Sequence, residues 1–315
     1  MSVHLRSYRY PDDYEKVGAF LVRTYAATAA GPHRNWLKPR WEYMHHHPWL
    51  RTHDLDLGRC GLWWDGDRVV AVVHFEHRMG IAYVQLDPSY ASLKRDLLAY
   101  ACERLGDTFK VGKAVHVYLD EDDTEFGEIA TSLGFVRLPR EQAEVTTCLR
   151  TADLPEEIAV PDGFEVLGLD EDDDVRKVHR VMHRGFNHEG EPPEDELDDR
   201  RRKLSAPGLR KDLTVVARAL DGQFVSFCGM WLDPANRVAY VEPVATDPDY
   251  RRRGLGTAAV LEGVRRCAAE GATIAYVGSD QLFYRSMGFE PFAVHALWRK
   301  RLDVPTDRAE EESDG

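Results

Sequence analysis

Apolar residues recur along the chain in two rhythms, runs of strand length and longer stretches spaced by three and four. From the N-terminus, VHLRSY reads as a strand. Residues 12–28, after Pro11, read as an amphipathic helix, and 36–45 as a second helical stretch. Residues 61–64 and 69–75 flank Asp65-Gly66, the dipeptide expected at a hairpin turn. Then come a strand at 81–86, a helix over 89–105, a strand at 115–119, a short helix ending near Leu133 and two closing strands. The same order returns further on. A strand at 164–167 precedes helices at 172–184 and 194–204 and strands at 213–220, 223–231 and 237–246. A helix over 255–270, a strand at 272–277, a short helix at 280–287 and terminal strands from Phe289 complete it.

Individual residues repeat in step with the elements. Asp65-Gly66 returns as Asp221-Gly222, Ala82-Tyr83-Val84 as Ala239-Tyr240-Val241, Asp87-Pro88-Ser89-Tyr90 as Asp247-Pro248-Asp249-Tyr250, and Gly134-Phe135 as Gly288-Phe289. The offsets are 156, 157, 160 and 154, a drift of only six, which predicts two copies of one fold. Each copy is expected to be α/β, a mixed sheet that is antiparallel in its first half and carries helical crossovers in its second. The copies are assigned to residues 1–150 and 162–302. A linker at 151–161 carries prolines and acids without periodicity, and the polar, acidic tail at 303–315 reads as disordered.

The second copy holds the most informative segment. A β-rich run ends near Thr246, and Arg251-Arg252-Arg253-Gly254-Leu255-Gly256-Thr257 then opens a long helix. Glycines at a helix entrance let main chain approach an anion closely, and the first N–H groups and the helix dipole face that anion. Three arginines just ahead add charge-assisted contacts. Such a loop suits a diphosphate. GLGTAA also satisfies the dinucleotide fingerprint, which would make the protein a nicotinamide-dependent oxidoreductase. That fingerprint wants its first glycine directly after a strand, whereas about eight residues intervene here and only 59 follow Gly256.

Arg251-x-x-Gly254-x-Gly256, after a strand and before a helix, resembles the cofactor motif of the GNAT superfamily of acyl-CoA-dependent acetyltransferases. FYRSMGF, Phe283 to Phe289, resembles that superfamily's F-Y-x-x-x-G-F signature. Residues 162–300 carry the resemblance in motifs and residues 1–150 in element order only, a tandem arrangement with one worn copy. It implies acetyl-CoA as cofactor and an N-acetyl transfer to a primary amine, expected to be a small molecule, by direct attack in a ternary complex. It further implies Tyr284 as the acid that protonates the leaving thiolate and Glu242 as general base, directly or through water. Val244, Ala245 and Thr246 would line the pantetheine arm and supply an oxyanion N–H, and residues 251–257 would hold the pyrophosphate. An acceptor pocket is expected near His183, His188 and Glu189. The family's asparagine after the fifth strand is absent, Gly278-Ser279-Asp280 standing there. In the first copy the loop at Ala91–Arg95 is three residues shorter and lacks glycine, Ala130 stands for Tyr284, and Gln85 for Glu242. The second copy is therefore expected to be catalytic. A rival of another class, a non-catalytic acyl-CoA sensor, would keep the phosphate loop and have no use for Tyr284 or Glu242.

Charge narrows the partners. A net charge of −13 and a pI near 5.5 repel nucleic acid and anionic membrane and point instead to a cationic small molecule such as an amine. Five scattered cysteines with no CxxC pair read as reduced thiols, and no apolar run reaches membrane-span length. A cytoplasmic enzyme is expected, without metal, and self-association into a homodimer stays open. Adjacent His45, His46 and His47 diverge on any regular backbone and cannot share one ion. The acids at 171–174 suit a helix start, and Trp36, Trp41, Trp49, Trp63 and Trp64 are assigned to the first copy's core or its contact with the second.

Overall fold

In this computed structural model the described residues are 3–46, 56–110 and 112–303, so His47, Trp49 and the tail beyond Asp303 lie outside them. The chain divides into two units. One comprises Met1–Asn35, His53–Glu144 and Val294–Gly315, the other Trp36–Thr52 and Val145–Ala293.

The first unit starts with β1 (Val3–Ser7) and α1 (Tyr14–Ala29). α2 (Lys38–His46) belongs to the second unit. β2 (Gly61–Asp65) and β3 (Arg68–His74) form the expected hairpin, its turn taken by Gly66 at φ +61°. β4 (Ile81–Leu86), α3 (Lys94–Arg104), β5 (Asp107–Phe109), β6 (Gly112–Asp120), α4 (Thr124–Ser132) and β7 (Val136–Arg137) follow. The expected helix at 89–105 is split, because Pro88–Leu93 is a 3-10 turn and α-helix begins only at Lys94.

The second unit contains β8 (Glu144–Arg150) from Val145 onward, β9 (Phe164–Gly168), α5 (Val175–Gly185), α6 (Leu197–Leu204), β10 (Val215–Ala219), β11 (Phe224–Asp233) and β12 (Val238–Thr246). α7 (Leu255–Ala269), β13 (Ile274–Val277), α8 (Leu282–Arg285) and the start of β14 (Glu290–Arg301) complete it.

Strand order shows the repeat directly. It is β1-β2-β3-β4-β6-β14 in the first unit and β9-β10-β11-β12-β13-β8 in the second. Each unit has one parallel pair at the same place, with Tyr83 opposite Tyr118 in one and Tyr240 opposite Tyr276 in the other. Residue matches read from the chain thus fall on equivalent register positions.

The sixth strands differ from expectation. Val294–Arg301 of β14, from the end of the second copy, closes the first unit against β6, and Val145–Arg150 of β8 closes the second against β13. A boundary at 151–161 assigns both strands the other way. Periodicity specifies that a strand forms, while its edge is settled by which open ladder of matching polarity its connection reaches. Nor is 151–161 free chain: Thr151–Asp153 is a 3-10 turn, and Leu154 and Ile158 pack on the second unit's core. Phe289 is followed by a single long strand rather than several.

α7 is buried nearly all round, from Leu255 to Cys267, against β10, β11 and β12. Its small residues permit the close approach: a Cβ at Gly263 would lie 2.8 Å from Met230 Cγ. Buried Val260, Leu261 and Val264 contribute about 1.5–3 kcal/mol each, enough to hold the helix's N-terminal end at a fixed place beside β12.

Candidate active site

β12 alternates as its sequence predicts. Val241, Pro243 and Ala245 are buried, while Glu242, Val244 and Thr246 are half-buried on the opposite face. Its parallel pairing with β13 ends at Tyr240, although β12 runs on to Thr246. Beyond Tyr240 only the β11 side is paired, and that pairing shifts register between Cys228 and Met230, opposite Glu242-Pro243. Pro243 has no N–H to give, so the ladder breaks where the sequence expects it. The Trp231 Nε1–H donates to the Glu242 carbonyl at 2.8 Å and takes up one of the freed acceptors.

Gly229 makes this irregularity possible, since a Cβ there would sit 2.4 Å from the Glu242 carbonyl oxygen and 2.8 Å from Pro243 Cδ. Gly229→Ala is expected to lower stability by about 2 kcal/mol through this overpacking and to reduce activity further by displacing Glu242. Urea unfolding beside a rate measurement checks it, and a fully stable, fully active variant would contradict it.

At the end of β12, Asp247 is fully buried, accepts the Asp249 N–H at 3.1 Å and pairs with Arg184. Burial works against its charge, but the Arg184 guanidinium and that N–H outweigh it and hold the carboxyl below its usual value. The turn into α7 is thereby anchored. Arg251 adds a second anchor, donating through Nε to the Thr246 carbonyl at 3.0 Å and through Nη2 to the Gly185 carbonyl at 2.7 Å. Of the arginines expected to face an anion, Arg251 thus positions the loop. Arg253 donates to the Asp249 carbonyl and lies over the Tyr250 ring, and Arg252 is exposed with φ +60°.

Gly254 caps α7 in the left-handed region, φ +85°, where other residues are strained. A Cβ there would meet nothing closer than Pro161 Cγ at 3.9 Å, so its outer side is open. The first intrahelical bond runs from the Ala258 N–H to the Gly254 carbonyl. The amides of Leu255, Gly256 and Thr257 lie ahead of it, outside the helix's own ladder. Gly256 is crowded where Gly254 is open: a Cβ would lie 3.0 Å from Thr246 Oγ1 and 3.2 Å from Phe283 Cζ.

Tyr284, on α8, is 8% exposed and packs edge-on between Phe283 and Phe289, centroids 4.9 and 5.8 Å away. Burial raises its phenol pKa well above the ordinary value, and the neighbouring Cys228 and Glu242 push it the same way. Tyr284 and Glu242, distant in sequence, therefore share one electrostatic environment.

The loop expected to touch an acceptor folds back on itself. The His183 Nε2–H donates to the Glu189 carbonyl at 3.1 Å, His183 lies 5.1 Å from the His188 ring, and His188 and Glu189 are exposed. The side chains that do approach Glu242 come from elsewhere. Lys203, on α6, is only 5% exposed, and its Nζ lies 4.1 Å from the Tyr43 ring centroid. Its pKa is lowered to about 7, chiefly by burial and also by Arg200, with Glu242 partly opposing them. Tyr43, on α2, meets Trp231 edge-on at 6.0 Å. Sequence reasoning missed this group because DDRRRKL reads as a solvated charge run. The available signal was spacing, for Leu197, Arg200, Lys203 and Leu204 fall on one helical face.

The first unit offers no counterpart. Gln85 is buried and its amide Nε2 lies 2.9 Å from His74 Nε2, and Ala130 is buried where the second unit has Tyr284. At the start of α3, buried Lys94 places Nζ 2.7 Å from Asp123 Oδ1 and 2.7 Å from Glu125 Oε2. An ion pair thus stands at the worn phosphate loop. Among the described residues no group of three or more His, Cys, Asp or Glu could hold a metal, and no helix is long and apolar enough to cross a membrane.

Comparison with known proteins agrees with this geometry. The acetyltransferase (GNAT) family profile matches residues 174–289. That segment is similar to the GNAT acetyltransferase family. The match spans β12, the Gly254–Gly256 turn and Tyr284, while Tyr43 on α2 lies outside it. A mycothiol acetyltransferase of Clavibacter michiganensis subsp. michiganensis is 27% identical over 201 residues, 60% of this chain and 63% of that relative, so the chain covers less than two thirds of its length. A tandem GNAT protein from the clavulanic acid biosynthesis pathway, solved without AcCoA, superposes with a TM-score of 0.61 at 17% identity, covering 97% of this chain and 100% of that one. A GCN5-related N-acetyltransferase from Sphaerobacter thermophilus gives 0.58 at 18% identity, covering 95% and 96%. The chain therefore carries two tandem GNAT-like folds, each a mixed sheet flanked by helices.

Proposed function

We propose that the protein is an acyl-CoA-dependent N-acetyltransferase whose second unit acetylates a primary amine on a small molecule. The observation that carries this reading is the release of β12 from β13 at Tyr240, which leaves Glu242, Val244 and Thr246 on a half-open face running to the N-terminus of α7. The residues present fit coenzyme A. The open left-handed turn at Gly254 and the leading amides of α7 suit a pyrophosphate, with positive charge from Arg252 and Arg253. Val244, Ala245 and Thr246 would receive the pantetheine arm. Bound acetyl-CoA supplies the thioester that the amine attacks.

This chain's own residues then handle protons and orientation. Glu242 accepts a proton from the attacking amine, directly or through a water. Main-chain N–H near Val244 and Ala245 faces the developing oxyanion. Tyr284 donates its phenolic proton to the departing sulfur, and its raised pKa keeps that proton in place at neutral pH. Because the donor is an intracellular metabolite, the cytoplasm is the proposed location.

Differential scanning fluorimetry with coenzyme A and with NADH, beside thiol release from acetyl-CoA over an amine panel, tests the reading. Coenzyme A at about a hundred times its Kd is expected to stabilise by about 2.7 kcal/mol, raising the midpoint by roughly 5–10 °C, while NADH leaves it unchanged. Stabilisation by NADH alone would support an oxidoreductase. Coenzyme A binding without turnover of any amine would leave a sensor.

A further inference from the structure

α6 holds two cations on its inward face that make no ion pair among the described residues, and one of them, Lys203, feels the charge of Glu242. α6 carries four basic residues in a row. Arg201 and Arg202 are exposed and pair with Asp198 and Asp199 one turn away. Arg200 and Lys203, on the inward face, enter no ion pair among the described residues. The Arg200 Nε is sealed from solvent and has no hydrogen-bond partner. Burial disfavours its charge, a cost that Tyr43 and Glu196 offset only in part through charge interactions. Lys203 is buried on the Tyr43 ring. Tyr43 abuts Trp231, whose indole N–H holds the Glu242 carbonyl, so a chain of contacts leads from Lys203 to the residue proposed as base.

Buried cations without partners are costly to keep unless a ligand completes them. Glu242 is the one carboxylate among the charged groups acting on Lys203, and it is needed to accept a proton. Glu42, on α2, is paired with Lys38 at 2.7 Å. Glu242 opposes burial at Lys203 and Glu196 opposes it at Arg200, each only in part, so neither cation has a close anionic partner among the described residues. A planar guanidinium with an unpartnered Nε, one helical turn from an ammonium, suits the planar two-oxygen head of a carboxylate.

On the acetyltransferase reading above, we propose that the acceptor is a carboxylate-bearing amine, an amino acid or a close derivative, whose carboxylate seats on Arg200 and Lys203 while its amine faces Glu242. This reverses the expectation from net charge, which averages the whole surface and favours a cationic acceptor. The local charge decides because the Debye length in physiological salt is about 8 Å. Lys203 explains how this helix face tolerates two neighbouring basic groups. Burial lowers its pKa to about 7, and a carboxylate seated beside it would favour its protonated form.

The test uses the full chain, acetyl-CoA and matched probes. These are α-, β- and ω-amino acids, each beside its carboxamide or decarboxylated amine, with glucosamine and glucosamine 6-phosphate as a phosphate arm. For the best acid, kcat/KM is expected to exceed that of its uncharged partner at least tenfold. Lys203→Met and Arg200→Gln should each collapse that ratio by about tenfold or more, chiefly through KM, and Lys203→Arg should restore part of it. Coenzyme A-dependent stabilisation in each variant reports that the fold is intact, and the wild-type ratios stand even where a variant fails to fold. Equal or inverted preference, preference for the phosphate arm, or a ratio surviving in both variants would overturn the proposal. If uncharged amines turn over and no acid does, the acetyltransferase reading stands and this inference alone falls.

Discussion

Tyr284→Phe is expected to lower kcat for thiol release by about 10²- to 10³-fold, the usual contribution of a positioned acid, while coenzyme A binding stays within about twofold. The substitution removes only the hydroxyl. The ring slot, lined by Phe283 and Phe289, already accepts phenyl groups, so no cavity opens. The pH profile adds a second check with a definite sign. A phenol donates only below its pKa, and burial has moved that pKa upward. The wild-type rate should therefore show no alkaline fall attributable to Tyr284 between pH 7 and 10, a range where an ordinary exposed tyrosine begins to ionise. Stopped-flow thiol detection over this range measures both effects. An unchanged kcat in the variant would remove Tyr284 from the mechanism and favour a binding-only protein.

Gly256→Val should abolish coenzyme A-dependent stabilisation, with affinity falling at least a hundredfold. The first added carbon already meets Thr246 Oγ1 at 3.0 Å and Phe283 Cζ at 3.2 Å. The two further methyls must push β12, α8 or the helix turn apart, which moves the amides that would face the pyrophosphate. Circular dichroism separates this local effect from unfolding, and isothermal titration measures affinity. A correctly folded variant that still binds at wild-type affinity would place the cofactor elsewhere. The first unit makes the same point without mutation. α3 begins at Lys94 with no left-handed glycine before it, and a buried ion pair stands at its entrance.

Much of the candidate site was legible in the chain because the segments that form it are local. The glycine loop, the strand before it and FYRSMGF each lie within one short segment, where turn geometry, alternation and helix entry follow from neighbouring residues. Arg251 shows the limit of that reasoning. Its place in the motif suggests an anion contact, yet its Nε and Nη2 serve two carbonyls, one of them Gly185 on another element. Lys203 shows the opposite error. A basic run looks solvated in sequence, and only packing against Tyr43, itself against Trp231, turns Lys203 into a buried cation. His183, His188 and Glu189, chosen for their chemistry, instead form a loop closed on its own carbonyl.

Sequence alone was sufficient for the repeat, the two mixed sheets, the worn first loop and the intact second one, since each depends on periodicity or on contacts a few residues apart. Tertiary structure decided which edge each sixth strand joins, that α2 belongs to the second unit, that Lys203 is buried within reach of Glu242's charge, and that the Arg200 Nε is sealed from solvent. Those outcomes depend on groups far apart in the chain meeting in a medium of low dielectric, where one unpaired charge outweighs the average of a whole surface.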